Sequence, residues 1–254
     1  MNAPLDLAEV RAALPAQVVG SALLWYPILD STQAELRRRA AEALPGTVLG
    51  AETQTTGQGR RGRTWDDRPG QDLLFSVLLP APDPPPELLP VALGAGLAEA
   101  LAEVTGAPVM SSWPNDLVCA GAKLAGLLVE QVGGRFLLGL GVNVLGPEGL
   151  PPRGGRAATT LEAAAGRELR REPVLAACLL AIEAVCREWP TEQRARVIAE
   201  RDYLRGRRIA VERAGESLAG LAAGISPGGA LLMRRGSETV EVRVADAVKV
   251  DADV

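Results

Sequence analysis

Residues 55–65 read TTGQGRRGRTW, and Gly57, Gly59 and Gly62 stand in the spacing G-x-G-x-x-G. In a dinucleotide-binding fold a strand precedes such glycines and a helix starts among them, so that the helix N-terminus faces a pyrophosphate. Here the apolar run TVLGAE supplies the strand. RTWDDRPGQD follows, a loop composition leading into a second apolar strand, DLLFSVLL. No G-K-[ST] completes a P-loop either. The segment therefore reads as a strand–loop–strand unit, and its context rejects both the dinucleotide fingerprint and the P-loop. Its glycines let the backbone take positive φ and approach a ligand closely. Arg60, Arg61 and Arg63 offer forked donors for phosphate or carboxylate. Trp65, beside Asp66 and Asp67, suits covering a flat ring better than filling a core. The competing reading is a solvated basic loop balanced by Asp66, Asp67 and Asp72.

The rest of the chain is mixed. DSTQAELRRRAAEALPG predicts a helix with Thr32 and Glu35 as a capping box, a stripe of Leu36, Ala40 and Leu44, and a stop at Pro45-Gly46. A proline-rich connection, DPPPELLP, leads into a helix over about 87–105 that ends at Gly106. KLAGLLVEQV and RFLLGLGVNVL read as strands joined by a Gly133-Gly134 hairpin. The glycine- and arginine-rich stretch around 151–156 reads as a mobile surface loop. Helices are expected over about 173–188 and 192–203. After Arg205 four short strand-like runs, RRIAVE, ESLAGLAAG, GALLMRR and ETVEVRV, are separated by Gly, Ser and Pro turns, the pattern of a small barrel. The expected fold class is α+β, with a mixed sheet and helices over 1–204 and a small all-β domain over 205–254.

Composition narrows the chemistry. The chain has no histidine, which excludes Ser-His-Asp and Cys-His hydrolases and any His-ligated metal. Among 27 basic residues the two lysines are Lys123 and Lys249. In a chain so biased to arginine, a lysine marks a place where guanidinium does not serve; Lys249 reads as an exposed strand residue. A net charge of -4 confines any anion chemistry to local features. Cys119, Cys178 and Cys186 lack metal-like spacing, and the latter two read as small buried residues of a helix. With no signal-like start and no apolar run long enough to span a bilayer, the expected location is the cytoplasm.

Two more motifs join the loop. SSWPNDLVCAGAKLAGLLVE puts Trp113-Pro114 before Asn115-Asp116, with Lys123 opening a strand. GLGVNV puts Asn143 in an apolar strand, where its amide needs partners. Asn115-Asp116 as a turn cap, and Asn143 bonded to neighbouring backbone, are the plain alternatives. In order and spacing, DSTQ, ETQTTGQGRRGRTW, WPNDLVCAGAKLAGLLVE and GLGVNV resemble the biotin–protein ligases, closely over about residues 25–145. GRRIAVERAGESLAGLAAGISPGGALLM resembles, more loosely, that family's C-terminal SH3-like domain.

The resemblance implies an enzyme that makes biotinyl-5′-AMP from biotin and ATP with Mg²⁺ and transfers the biotinyl group to a lysine of a biotin carboxyl carrier domain, usually of acetyl-CoA carboxylase. Ser31, Thr32, Gln33 and Gln54 would meet biotin, Gln58, Gly59 and Arg60 would close over it, and Lys123 would contact its carboxylate and the α-phosphate. Arg63, Trp65, Asn115 and Asn143 would hold the nucleotide, with Lys123, Arg60 and Arg63 carrying the reaction. Asp116 would orient the acceptor amine or bind Mg²⁺, or simply cap a turn. Ser112 stands where the family commonly has a lysine, so one cation near the phosphates is missing and weaker ATP binding is expected. Gln58 replaces a common arginine and Gln33 a common asparagine. About 29 residues precede Asp30, too few for the DNA-binding module of longer members, which points to a monofunctional enzyme. The family includes monomers and homodimers. A lipoate or octanoate transferase on the same fold is the alternative, opposed by the polar residues at 31, 32 and 54. A nucleic-acid-binding protein is the remote one, opposed by net acidity and few aromatics.

Overall fold

The computed structural model describes residues 4–15, 18–80, 84–147, 149–153, 155–187, 191–213 and 215–250. The chain opens with α1 (Leu7–Ala13), β1 (Leu23–Leu29), α2 (Thr32–Arg39) and β2 (Val48–Gln54). A 3-10 turn, Arg60–Gly62, precedes β3 (Asp72–Leu78) and α3 (Leu89–Thr105). There follow β4 (Met110–Ser112), β5 (Asp116–Cys119), β6 (Ala122–Val132), β7 (Arg135–Asn143), β8 (Leu150–Arg153) and β9 (Arg156–Ala158). Three helices come next, α4 (Leu161–Ala165), α5 (Arg171–Arg187) and α6 (Thr191–Arg201). The last strands are β10 (Arg208–Arg213), β11 (Glu216–Ile225), β12 (Leu231–Arg235), β13 (Glu238–Val242) and β14 (Ala247–Val250).

The large sheet runs β1-β2-β3-β7-β6-β5-β4, with β9 beside β6 and β8 on β9. β1 and β2 are parallel across the α2 crossover, while β2, β3, β7, β6, β5 and β4 pair antiparallel with their neighbours. β3 is buried at every position, and with it Phe75 anchors the core against the α3 and α5 layer. A smaller apolar cluster of Leu36, Ala40, Leu49, Leu78 and Leu137 seats α2 on the opposite face. The hairpin between β6 and β7 turns on Gly133 and Gly134, both at positive φ, as the sequence predicts. α3 stops at Gly106, which takes the left-handed conformation at φ 77.

The sequence reading needs correction in four places. Ser31, not Thr32, caps α2, its Oγ accepting from Ala34 N at 3.4 Å, while Glu35 turns to Arg38 and Arg39. The helix ends at Arg39, and Leu44 is 70% exposed rather than part of an apolar stripe. Of the three loop glycines only Gly62 has positive φ. Finally, the stretch over 151–156 is largely strand: β8 and β9 pair antiparallel, with Gly154 between them outside the described residues.

The C-terminal strands form a separate antiparallel sheet in the order β13-β12-β11-β10-β14, open between its edge strands β13 and β14 among the described residues. Ile209, Val211, Leu231, Met233 and Val242 join its buried face to the main core. Trp113 Nε1 donates to Gly229 O at 3.0 Å, pinning the two sheets together. Cys119, Cys178 and Cys186 are free and buried. Among the described residues, no helix is long and apolar enough to cross a membrane.

Candidate active site

A cavity of about 1220 Å³ opens on the face of the large sheet, roofed by the glycine-arginine loop and bounded by the β8–β9 ribbon and the strand β14. Its two ends differ in chemistry.

One end is polar and neutral. It lies where α2 begins and β2 ends, because the crossover places Ser31 and Thr32 next to Gln54. The Gln54 side-chain oxygen accepts from Thr32 N at 2.8 Å and from Thr32 Oγ1 at 3.1 Å. Thr32 Oγ1 also lies 3.0 Å from Ser76 Oγ on β3. Gln33 Nε2 donates to Glu130 at 3.0 Å, while its Oε1 is buried without a hydrogen-bond partner among the described residues. These side chains are fixed by one another before any ligand arrives, which suits recognition of a small group with both donors and acceptors.

The other end is cationic. Lys123 Nζ, at the start of β6, lies 2.8 Å from Asp116 Oδ1 on β5. Asn115 sits just before β5, tied to β6 by Leu127 N and O. Its Oδ1 accepts from Arg60 Nη1 at 2.9 Å, so the loop crosses the cavity and touches its far wall. Burial lowers the Arg60 guanidinium below its ordinary value, aided by Arg61; the partner is a neutral amide, and the charge remains available to an anion. Arg61 pairs with the Asp246 carboxylate, and Arg63 Nη2 donates to Asp246 O at 3.2 Å. The loop itself closes as a narrow hairpin, with Gly59 N to Arg63 O at 2.7 Å and Trp65 N to Gly57 O at 3.0 Å.

Trp65 lies on a floor of glycine. A Cβ at Gly141 would stand 2.5 Å from the indole, and one at Gly126 2.9 Å. The Lys123 ammonium and the Arg153 guanidinium lie 5.6 and 5.2 Å from the ring centroid. Trp65 Nε1 is buried without a hydrogen-bond partner among the described residues. Arg153, at 8% exposure, faces Asp72 Oδ2 at 3.7 Å, and burial lowers its guanidinium and raises the Asp72 carboxyl.

Of the residues singled out in the sequence, Ser31, Thr32, Gln33, Gln54, Gln58, Gly59, Arg60, Arg63, Trp65, Asn115, Asp116 and Lys123 all line this cavity. Asn143 does not. It is fully buried behind the wall, its Nδ2 donating to Thr159 O at 3.0 Å and Lys123 O at 3.4 Å, the backbone-bonded alternative weighed above. Sequence reasoning missed Ser76, Arg153, Arg156 and Tyr203, which also line the cavity. The two arginines flanking Gly154-Gly155 were the signal available.

The chain is similar to known proteins in sequence and in fold. Residues 25–146 match the model of the biotin/lipoate A/B protein ligase family. The biotin–[acetyl-CoA-carboxylase] ligase of Mycobacterium tuberculosis is 31% identical, over 98% of this chain and 97% of its own. The bifunctional ligase/repressor BirA of Bacillus subtilis is 30% identical over 74% of this chain, which spans 60% of that longer protein. A structure of biotin protein ligase from Aquifex aeolicus in complex with biotin and ATP superposes with a TM-score of 0.80 at 27% identity, over 91% of this chain and all of that one. Likeness that extends across nearly the whole of the mycobacterial ligase, in sequence and not only in fold, places this chain in the biotin/lipoate A/B protein ligase family.

Proposed function

We propose that the chain activates biotin with MgATP to biotinyl-5′-AMP and transfers the biotinyl group to one lysine of a biotin carboxyl carrier domain; the mycobacterial relative, matched over nearly its whole length, is named a biotin–[acetyl-CoA-carboxylase] ligase. The observation that carries this reading is the division of a single cavity into a neutral hydrogen-bonding end at Ser31, Thr32 and Gln54 and a cationic end at Lys123 and Arg60. A ureido ring fits the first and converging carboxylate and phosphate groups fit the second. A hydrocarbon acyl tail would leave the polar end unpaired, which disfavours a lipoate or octanoate substrate.

In the first step a biotin carboxylate oxygen attacks the α-phosphorus, and pyrophosphate departs with the electron pair of the broken P–O bond. The nucleophile is already ionised near neutral pH, so a protein without histidine lacks nothing the step needs. The work is alignment and charge neutralisation. Lys123 lies between the two anions, Arg60 and the backbone of Gln58 and Gly59 close over the acid tail, and Arg63 and Asn115 fix the nucleotide. Trp65 covers the adenine. Asn143 acts at one remove, holding the Lys123 carbonyl and so the start of β6. In the second step a neutral carrier lysine attacks the acyl carbon, the acyl C–O bond breaks with its electron pair leaving on AMP, and the nitrogen gives up a proton to water as the amide forms; Asp116 accepts a hydrogen bond from the incoming amine.

The residues fit a metal that travels with the nucleotide. Asp116 is one carboxylate beside the phosphate end, and no group of three or more acidic, Cys or His ligands occurs among the described residues. Mg²⁺ is typically held by one or two carboxylates together with substrate phosphates, whose charge it neutralises. Residues 1–204 constitute the catalytic unit and 205–254 an SH3-like unit on this reading, and three reduced, buried cysteines suit the cytoplasm. The direct experiment mixes the purified protein with biotin, MgATP and a biotin-acceptor domain. The acceptor gains the mass of one biotinyl group, and gains nothing when ATP is withheld; an acceptor unchanged in the complete mixture refutes the reading.

A further inference from the structure

We propose that Arg156 binds the nucleotide phosphates, supplying from the β8–β9 ribbon the cation that position 112 lacks. This rests on the ligase reading above. Ser112 closes β4 opposite Asp116 of β5, and Asp116 holds the Lys123 ammonium. Position 112 therefore borders the charged pair at the reacting end of the cavity, yet its side chain is a buried neutral hydroxyl. Arg156 comes to it from 44 residues away, Nη1 donating to Ser112 Oγ at 3.1 Å. The approach follows from sheet register: Ala158 is paired with Lys123, and Arg156, two residues earlier on the same short strand, shares its face.

The guanidinium is held without being neutralised. Its Nη2 donates to Val248 O at 3.5 Å, and its carbon lies 5.9 Å from the Tyr203 ring centroid. Tyr203 is fixed in turn by Tyr203 N to Ser111 O at 2.9 Å. All of these partners are uncharged, and no carboxylate pairs with Arg156 among the described residues, whereas Arg37, Arg38, Arg39 and Arg170 each have one. Arg60, which also lines the cavity, is likewise held by an amide, that of Asn115. Two positioned guanidinium groups facing one cavity, each lacking a carboxylate, suit a polyanion that brings several charges at once. Arg153, three residues earlier, differs: it is ion-paired with Asp72 and turned to the Trp65 ring.

The test measures biotin-dependent ATP–pyrophosphate exchange and thermal melting in Arg156→Gln, Arg156→Lys, and Arg156→Gln combined with Ser112→Lys. For Arg156→Gln the KM for MgATP rises by about tenfold or more, since charge-assisted hydrogen bonds are lost, while the KM for biotin and the Tm hold. Arg156→Lys falls between parent and Arg156→Gln. Adding Ser112→Lys to Arg156→Gln restores most of the MgATP affinity, because the charge returns from the other side of the same contact. An unchanged KM for MgATP in Arg156→Gln overturns the proposal. So does a parallel rise in both KM values with a lowered Tm, the mark of a residue that only braces β14, or a failure of Ser112→Lys to rescue. Absence of exchange in the parent protein instead overturns the ligase reading itself.

Discussion

Replacing Lys123 by Met separates the two roles its position allows. The side chain forms an ion pair with Asp116 at 2.8 Å and also borders the Trp65 ring. Met keeps most of the stem and removes the charge. On the structural side the loss is small: Lys123 and Asp116 are 13% and 25% exposed, so water reaches the abandoned carboxylate. A partly solvated pair of this kind contributes about 1 kcal/mol, equivalent to about 2–4 °C in Tm for a chain of this size. On the chemical side the loss is larger. An ammonium about 4 Å from a developing phosphate charge contributes about 4 kcal/mol at an effective dielectric of about 20. Removing one such stabilising group lowers kcat by a factor on the order of 10²–10³. The expectation for Lys123→Met is thus a protein that melts within a few degrees of the parent and has lost nearly all biotin-dependent pyrophosphate exchange at saturating biotin and MgATP. Exchange close to the parent's, with the Tm also unchanged, would refute the placement of Lys123 between the two anions. A collapse of Tm that accounts for the lost activity would refute it equally, by making the lysine a structural residue.

Gly141→Val tests the floor beneath Trp65. An added Cβ would stand 2.5 to 2.9 Å from three indole atoms, against ordinary contacts of about 3.5–4.0 Å, so the ring must lift. Weaker MgATP binding by calorimetry, retained biotin binding and a changed near-UV tryptophan spectrum are expected; unaltered nucleotide affinity would detach Trp65 from the nucleotide. The buried cysteines give a pH prediction. Burial pushes the Cys178 and Cys186 thiols up to about 12 from 9.0, so the unfolded chain binds fewer protons than the native one above pH 9. Stability present below that pH is then lost as pH rises toward about 12. Cys178→Ala shortens the stem of the alkaline loss in chemical denaturation, and native protein at pH 8 resists iodoacetamide at both sites; rapid native labelling would show that these thiols are not buried.

Much of the architecture was legible because its signals are local. Alternation and glycine pairs mark β6, β7 and their hairpin, and Gly106 marks the end of α3. The loop over 57–65 was legible as a non-Rossmann unit because no helix signal follows it. The start of α2 misled because Thr32 and Glu35 fit a capping box while Ser31 offers an equally good hydroxyl one residue earlier, and the arginines at 38 and 39 claim Glu35. The β8–β9 ribbon was illegible for a different reason. Prolines and glycines conceal a ribbon whose contacts with the rest of the fold, Ala158 with Lys123 and Arg153 with Asp72, are to partners far away in sequence. Asn143 shows the same limit at the site. Alternation puts it on the face of Gly141, under Trp65, yet two backbone carbonyls from β6 and the approach to α4 take up its Nδ2, while its Oδ1 has no hydrogen-bond partner among the described residues.

The strand Ala247–Val250 forms part of the cavity wall, and Asp246 before it grips two arginines of the roof. Cutting the gene at the obvious change of texture near residue 205 would therefore not isolate a smaller working enzyme. It would leave a vessel with one side missing and its cover unfastened, even if the larger piece kept its shape.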